Sequence, residues 1–178
     1  MEIFKTLCLC LPLVLSAAHA HAQEEVSMRN TFYLGGGNAN SDDPFENDDM
    51  PFSIGFMHQR ADSKLILGFD IAGEGTMIDS TWGMDDEPKQ AMSYNFLFGG
   101  NMIDNGRFRA DAALLVGLRE SFADCADSHL GYQCYADTAP DTDYEGNFGA
   151  VLAVSIDRFT LGLRATGEST QILAGFRF

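Results

Sequence analysis

Basic side chains are scarce. The 178-residue chain holds 11 Lys and Arg against 26 Asp and Glu, a formal net charge of −15, and its pI is near 4.3. Without a basic stripe to neutralise phosphates, nucleic acid is excluded as a partner. Long apolar runs are scarce as well: outside the N-terminal segment none approaches the ~18 residues a transmembrane helix needs, although 46% of the residues are hydrophobic. Helical spanning is excluded. Spanning strands are not, because alternation of lipid-facing and lumen-facing residues holds each segment near neutral hydropathy, and the chain's mean hydropathy is −0.08. The length suits one domain rather than two.

Cysteine is limited to four positions. Two of them, Cys8 and Cys10, lie in a segment with the marks of an export leader. Lys5 precedes apolar residues 7–18, and Ala18-His19-Ala20-His21-Ala22 supplies small residues at the spacing a signal peptidase needs. Cleavage after Ala22 is predicted, with Ala20 as the alternative, so residues 1–22 form a signal peptide and 23–178 the mature domain. Both leader cysteines precede the end of the apolar stretch, the wrong place for lipid attachment. In an oxidising compartment Cys125 and Cys134 predict one local disulfide, two free thiols being the alternative. His129 between them adds too little for a metal site.

The remaining chain alternates in period two over eight segments separated by polar stretches. The predicted strands are 31–38, 51–59, 64–72, 91–102, 107–119, 144–156, 159–165 and 170–178. In the fourth, Met92, Tyr94, Phe96 and Phe98 oppose Ser93, Asn95, Gly99 and Asn101. In the sixth, Phe148, Ala150, Leu152, Val154 and Ile156 oppose Asn147, Gly149 and Ser155. Ile66 breaks the alternation of the third. One face is thus rich in Phe and Leu with almost no charge, and the other collects glycine and charges of both signs. A soluble barrel would turn its apolar face inward and its charges to water. Glycines and paired charges instead suit the narrow interior of an eight-stranded barrel, and the Phe-rich face suits lipid.

Loop lengths sort by end in the same way. Short connections fall at 60–63, 103–106 and Asp157-Arg158; long ones fall at 39–50, 73–90 and 120–143, with a short fourth at 166–169. A transmembrane barrel with its N-terminus in the periplasm has that asymmetry. The fold class predicted is all-β, an eight-stranded antiparallel up-and-down transmembrane barrel.

On these segments the chain resembles the eight-stranded outer-membrane barrels, the class of the outer-membrane protein A transmembrane domain and the opacity-type surface proteins. Phe178, with Phe176 two before it and Gln171 at a polar position, is similar to the signal these proteins present to the barrel-assembly machinery. The glycine usual at the position of Leu173 is absent, with Gly175 nearby instead. The resemblance implies an outer-membrane location, lipid and lipopolysaccharide as surroundings, and a structural or adhesive surface role. A lipid A-modifying enzyme and a narrow channel are the alternative readings.

Inward charges Lys64, Asp70, Arg109, Asp111, Arg119, Arg164 and Arg177 predict a lumen network in which Asp70 and Asp111 each meet an arginine on a neighbouring strand. That network reads as a plug rather than a gate, since eight strands leave room only for side chains. Acidic loop residues, among them Asp42, Asp43, Asp85, Asp86 and Asp141, offer carboxylates to divalent cations bridging lipopolysaccharide phosphates, although none has EF-hand spacing. A solvated repulsive surface explains them equally. For catalysis the candidates are His58 and the run Asp127-Ser128-His129, and adjacency in sequence does not make a triad. No catalytic residue and no cofactor are predicted. Tyr33, Tyr94, Tyr144, Phe159 and Phe178 suit interfacial girdles, and Trp82 a loop over the barrel mouth.

Overall fold

The computed structural model describes residues 29–40, 47–60, 62–78, 88–122 and 142–178. All eight expected segments are strands: β1 (Asn30–Ala39), β2 (Phe52–Gln59), β3 (Leu65–Ile78), β4 (Pro88–Asp104), β5 (Phe108–Phe122), β6 (Thr142–Ile156), β7 (Phe159–Thr166) and β8 (Ser169–Arg177). Each pairs antiparallel with its sequence neighbours, and β8 returns to β1, so the sheet closes. The closing ladder runs from Thr31↔Arg177 to Ala39↔Ser169, and Asn30 and Phe178 exchange two backbone hydrogen bonds of 3.0 Å below it. Closure satisfies the backbone groups that an open sheet would leave at its edges.

The period-two pattern sets which side chain goes where. β8 alternates buried Ser169, Gln171, Leu173 and Arg177 with exposed Thr170, Ile172, Ala174 and Phe176. Short turns at one end obey local chemistry. Asp157 and Gly106 take positive φ (54° and 81°), the left-handed conformation that Asp tolerates and Gly adopts freely. At Asp104–Arg107 the side chains of Asp104 and Asn105 accept the amides of Gly106 and Phe108, so the turn holds itself.

The barrel wall is uneven. β3 to β6 run 14, 17, 15 and 15 residues, against 8 to 10 for the other four. The extra length lies at the long-loop end. Pairing between β4 and β5 stops at Ser93↔Arg119, whereas β3 and β4 stay paired up to Ile78↔Pro88 and β5 and β6 up to Phe122↔Thr142. Two hairpins therefore stand above the mouth. Residues predicted as loop, notably 73–78 and 120–122, belong to them, because rim strands alternate between two solvated faces and lose the apolar signal.

A one-residue bulge in β3, between Gly73 and Thr76, brings Gly75 to φ 73°. Glu74 is turned into the lumen there, fully buried. Bulges re-aim side chains in this way.

Candidate functional site

The lumen is filled in three layers. Its middle is apolar: Met57, Ile66, Leu97, Leu115, Val151 and Leu173 are almost wholly buried against one another. Ile66 thus faces inward with Asp70 and Gly68, and its apparent break in alternation is a lumen core residue. Above and below lie polar layers.

The upper layer is built on Arg164 of β7. Its Nε and Nη2 donate to Asp70 Oδ1 at 3.1 and 2.9 Å, and its Nη1 donates to Glu74 Oε2 at 2.6 Å. Both carboxylates belong to β3, on the opposite wall. Tyr33 Oη donates to Asp70 Oδ2 (2.9 Å), and Asn95 Nδ2 to Asp70 Oδ1 (3.1 Å). Ser93, Asn147, Thr166 and Ser169 all donate to Glu74 at 2.6–2.9 Å. Arg164, Asp70 and Glu74 are each without solvent exposure at the side chain. Two carboxylates on one guanidinium leave an excess negative charge, which the ring of amide and hydroxyl donors stabilises.

The lower layer joins Arg109 to Asp111. Arg109 Nε lies 2.7 Å from Asp111 Oδ2 and its Nη1 donates to Gln59 Oε1 at 2.5 Å, while Asn101 Nδ2 donates to Asp111 Oδ1 at 2.8 Å. Arg177 is buried at the same end. Ser155 and Thr160 share a hydroxyl hydrogen bond of 2.8 Å.

These contacts correct the predicted network in four places. Asp70 pairs across the lumen rather than with a neighbour, since its register partners are Gly55 and Asn95. Asp111 pairs within its own strand, two residues from Arg109, because its register partners are Asn101 and Ala153. Lys64 precedes the first residue of β3 and is exposed on the turn, outside the lumen. Arg119 stands at the mouth, 2.9 Å from Glu145 and 3.4 Å from Glu168, rather than in the interior.

Two residues escaped the sequence reading. Glu74 lies beyond Gly73, where the bulge shifts the alternation, and was taken for loop. Tyr33, assigned to a girdle, is 1% exposed inside the barrel. Its ring lies over Gly55, whose missing Cβ would sit 2.0 Å from the Tyr33 Cζ. Parity already placed Tyr33 opposite Phe32 and Leu34; residue type was the misleading guide.

The outside of the barrel is a band of large exposed apolar side chains, including Phe96 (77%), Phe98, Leu114, Leu152, Leu161 and Phe159 (79%). An aromatic row crosses the closing seam, with Phe56–Phe178, Phe178–Phe176 and Phe176–Phe32 centroids 6.4, 5.5 and 5.7 Å apart. Tyr94, Tyr144, Phe159 and Phe178 all face outward.

Among the described residues no group of three His, Cys, Asp and Glu could hold a metal ion. His58 is exposed at the short-turn end, its Nδ1 2.8 Å from Asn30 Oδ1. The leader 1–22, Cys125, Cys134, Trp82, the Asp127-Ser128-His129 run and Asp42, Asp43, Asp85, Asp86 and Asp141 lie outside the described residues.

No family model and no curated protein matches the chain. Among solved structures, the chain is similar to the Yersinia pestis outer membrane protein Ail in a phospholipid bilayer nanodisc: 12% identity, TM-score 0.44, covering 84% of this chain and 99% of that one. It is likewise similar to the crystal structure of Ail, the attachment invasion locus protein, in complex with the heparin analogue sucrose octasulfate: 13% identity, TM-score 0.45, covering 84% and 96%. Neither likeness adds to what the strands themselves show.

Proposed function

We propose that the chain is an outer-membrane barrel that works through its long-loop end, as a non-enzymatic surface-interaction protein with a closed lumen. The observation that carries the reading is the pairing of an apolar exterior with an ionic interior. Water does not solvate a continuous belt of Phe and Leu, whereas hydrocarbon does, and only a closed barrel or a helix can cross it. The interior offers no path, because interdigitated side chains and paired charges fill it. Adhesion is favoured over a purely structural role by the two hairpins of β3–β4 and β5–β6, which stand above the mouth. The rim segment Thr142–Gly146 of β6 is exposed at every residue, and the ladder from β6 to β7 begins only at Gly149↔Thr166. A partner in extended conformation gains main-chain hydrogen bonds at such an edge.

Expression in a Gram-negative host tests the location first. The protein should sediment with outer membranes and run on gels with heat-modifiable mobility, because a folded barrel resists detergent until boiled. Recovery in the soluble periplasmic fraction would overturn the reading. For the surface role, cells expressing the barrel should bind host-cell surfaces more than cells expressing a version shortened by the β5–β6 hairpin above Leu118.

A further inference from the structure

We infer that the short-turn end of the barrel is a collar for anionic phospholipid headgroups, an inference that rests on the membrane reading above. Every connection at that end carries a cation. Arg29 precedes β1, Arg60 and Lys64 lie between β2 and β3, Arg107 between β4 and β5, and Arg158 between β6 and β7. All but the half-buried Arg29 are exposed. Three carboxylates share the end, and two are engaged: Asp157 lies 3.3 Å from Arg107, and Asp104 accepts the Gly106 amide at 2.9 Å. Asp62 is the third.

The long-loop end has the opposite balance. Its described residues include Asp48, Asp49, Glu120, Asp143, Glu145 and Glu168, against Lys89 and an Arg119 already held by Glu145 and Glu168. The molecule is therefore polarised along its axis, and only the short-turn end suits an anion.

Distribution chooses the kind of anion. The cations do not converge on one pocket, as a soluble phosphate ligand would require; they are spread around the circumference, one or two to each turn. They also border the apolar band directly, Arg158 next to Phe159 and Arg107 next to Phe108, at the level where acyl chains give way to headgroups. A ring of guanidinium and ammonium groups there matches an annulus of phosphodiesters, to which each contributes charge and N–H donors.

The test uses the full mature chain, folded into phosphatidylcholine vesicles, with spin-labelled phosphatidylglycerol and spin-labelled phosphatidylcholine as probes of the lipid held at the barrel. At low salt the folded wild type should prefer phosphatidylglycerol by about threefold or more, a single unscreened basic side chain near a headgroup being worth roughly fivefold. The preference should shrink at high salt. In the quadruple variant Arg60→Gln, Lys64→Gln, Arg107→Gln, Arg158→Gln it should fall to one or below, since the remaining exposed charge is acidic; Lys89→Gln should leave it unchanged. None of these side chains belongs to the lumen layers, and heat-modifiable mobility verifies that each variant is folded. Equal association of both labels with folded wild type, or a preference surviving in the quadruple variant, overturns the collar and leaves the membrane reading standing. If neither label is immobilised by the folded protein, the barrel is not in the bilayer, and both readings fail together.

Discussion

Arg164 on β7 donates to Glu74 on β3 at 2.6 Å across the full width of the lumen, with both side chains wholly out of solvent. The pair, with Asp70 on the same guanidinium, braces opposite walls that share no backbone ladder. Removing Arg164 leaves two buried carboxylates facing each other, and breaking a buried pair from one side costs about 3–5 kcal/mol. Arg164→Met should therefore lower the urea midpoint of the vesicle-folded protein strongly. The triple variant Arg164→Met, Asp70→Asn, Glu74→Gln should regain much of the loss, because no uncompensated charge remains. A midpoint for Arg164→Met equal to the wild type would show that the brace carries no stability.

Tyr33 should be as sensitive to its floor as to its hydroxyl. Tyr33→Phe removes one buried hydrogen bond to Asp70, a cost of about 1–3 kcal/mol. Gly55→Val places a side chain where the ring now lies and should cost more, by forcing the ring away from Asp70. Equilibrium unfolding followed by intrinsic fluorescence of the folded barrel gives the order; a Gly55→Val protein as stable as Tyr33→Phe would contradict the packing.

Leu152 is exposed on the outer face midway along β6. Its replacement by Arg should destabilise the folded protein in bilayers by roughly 2–4 kcal/mol, the cost of a cation at the hydrocarbon midplane. The same change at Glu145, on the rim, should cost far less. Equal effects at both sites would place the belt in water.

Planar bilayers holding the wild type should show no steady unitary currents, given three layers of packed side chains. Reproducible conductance steps would count against a closed lumen.

Phe178→Ala removes the ring contacts with Phe56 and Phe176 while keeping the backbone exchange with Asn30. A loss of about 1 kcal/mol for each aromatic pair is expected, read as faster unfolding in urea. Unchanged unfolding would make the aromatic row incidental.

Most of the wall was legible because one face of each strand must be apolar and the other must fit a narrow interior, and parity records both. All eight strands fall where alternation puts them, as do the short turns, which Asp104, Asn105, Gly106 and Asp157 mark by their chemistry. The site was less legible. Parity assigns Arg164 and Asp70 to the lumen but says nothing of height or of which wall faces which, so their pairing across six intervening residues' worth of sheet, rather than along one neighbour, needed the closed shape. Glu74 was hidden by the bulge at Gly73, which breaks the period the reading depends on. Lys64 was misplaced by one residue, enough to move it from interior to turn.

The seam has a consequence for the order of events in the life of the chain. The partner of β1 is the last strand in sequence, so the first strand must wait, with half its amides and carbonyls unspoken for, until every other has been made. Such a sheet cannot be finished piecemeal during synthesis. The polypeptide is obliged to travel as an open thread and to be zipped shut only on arrival.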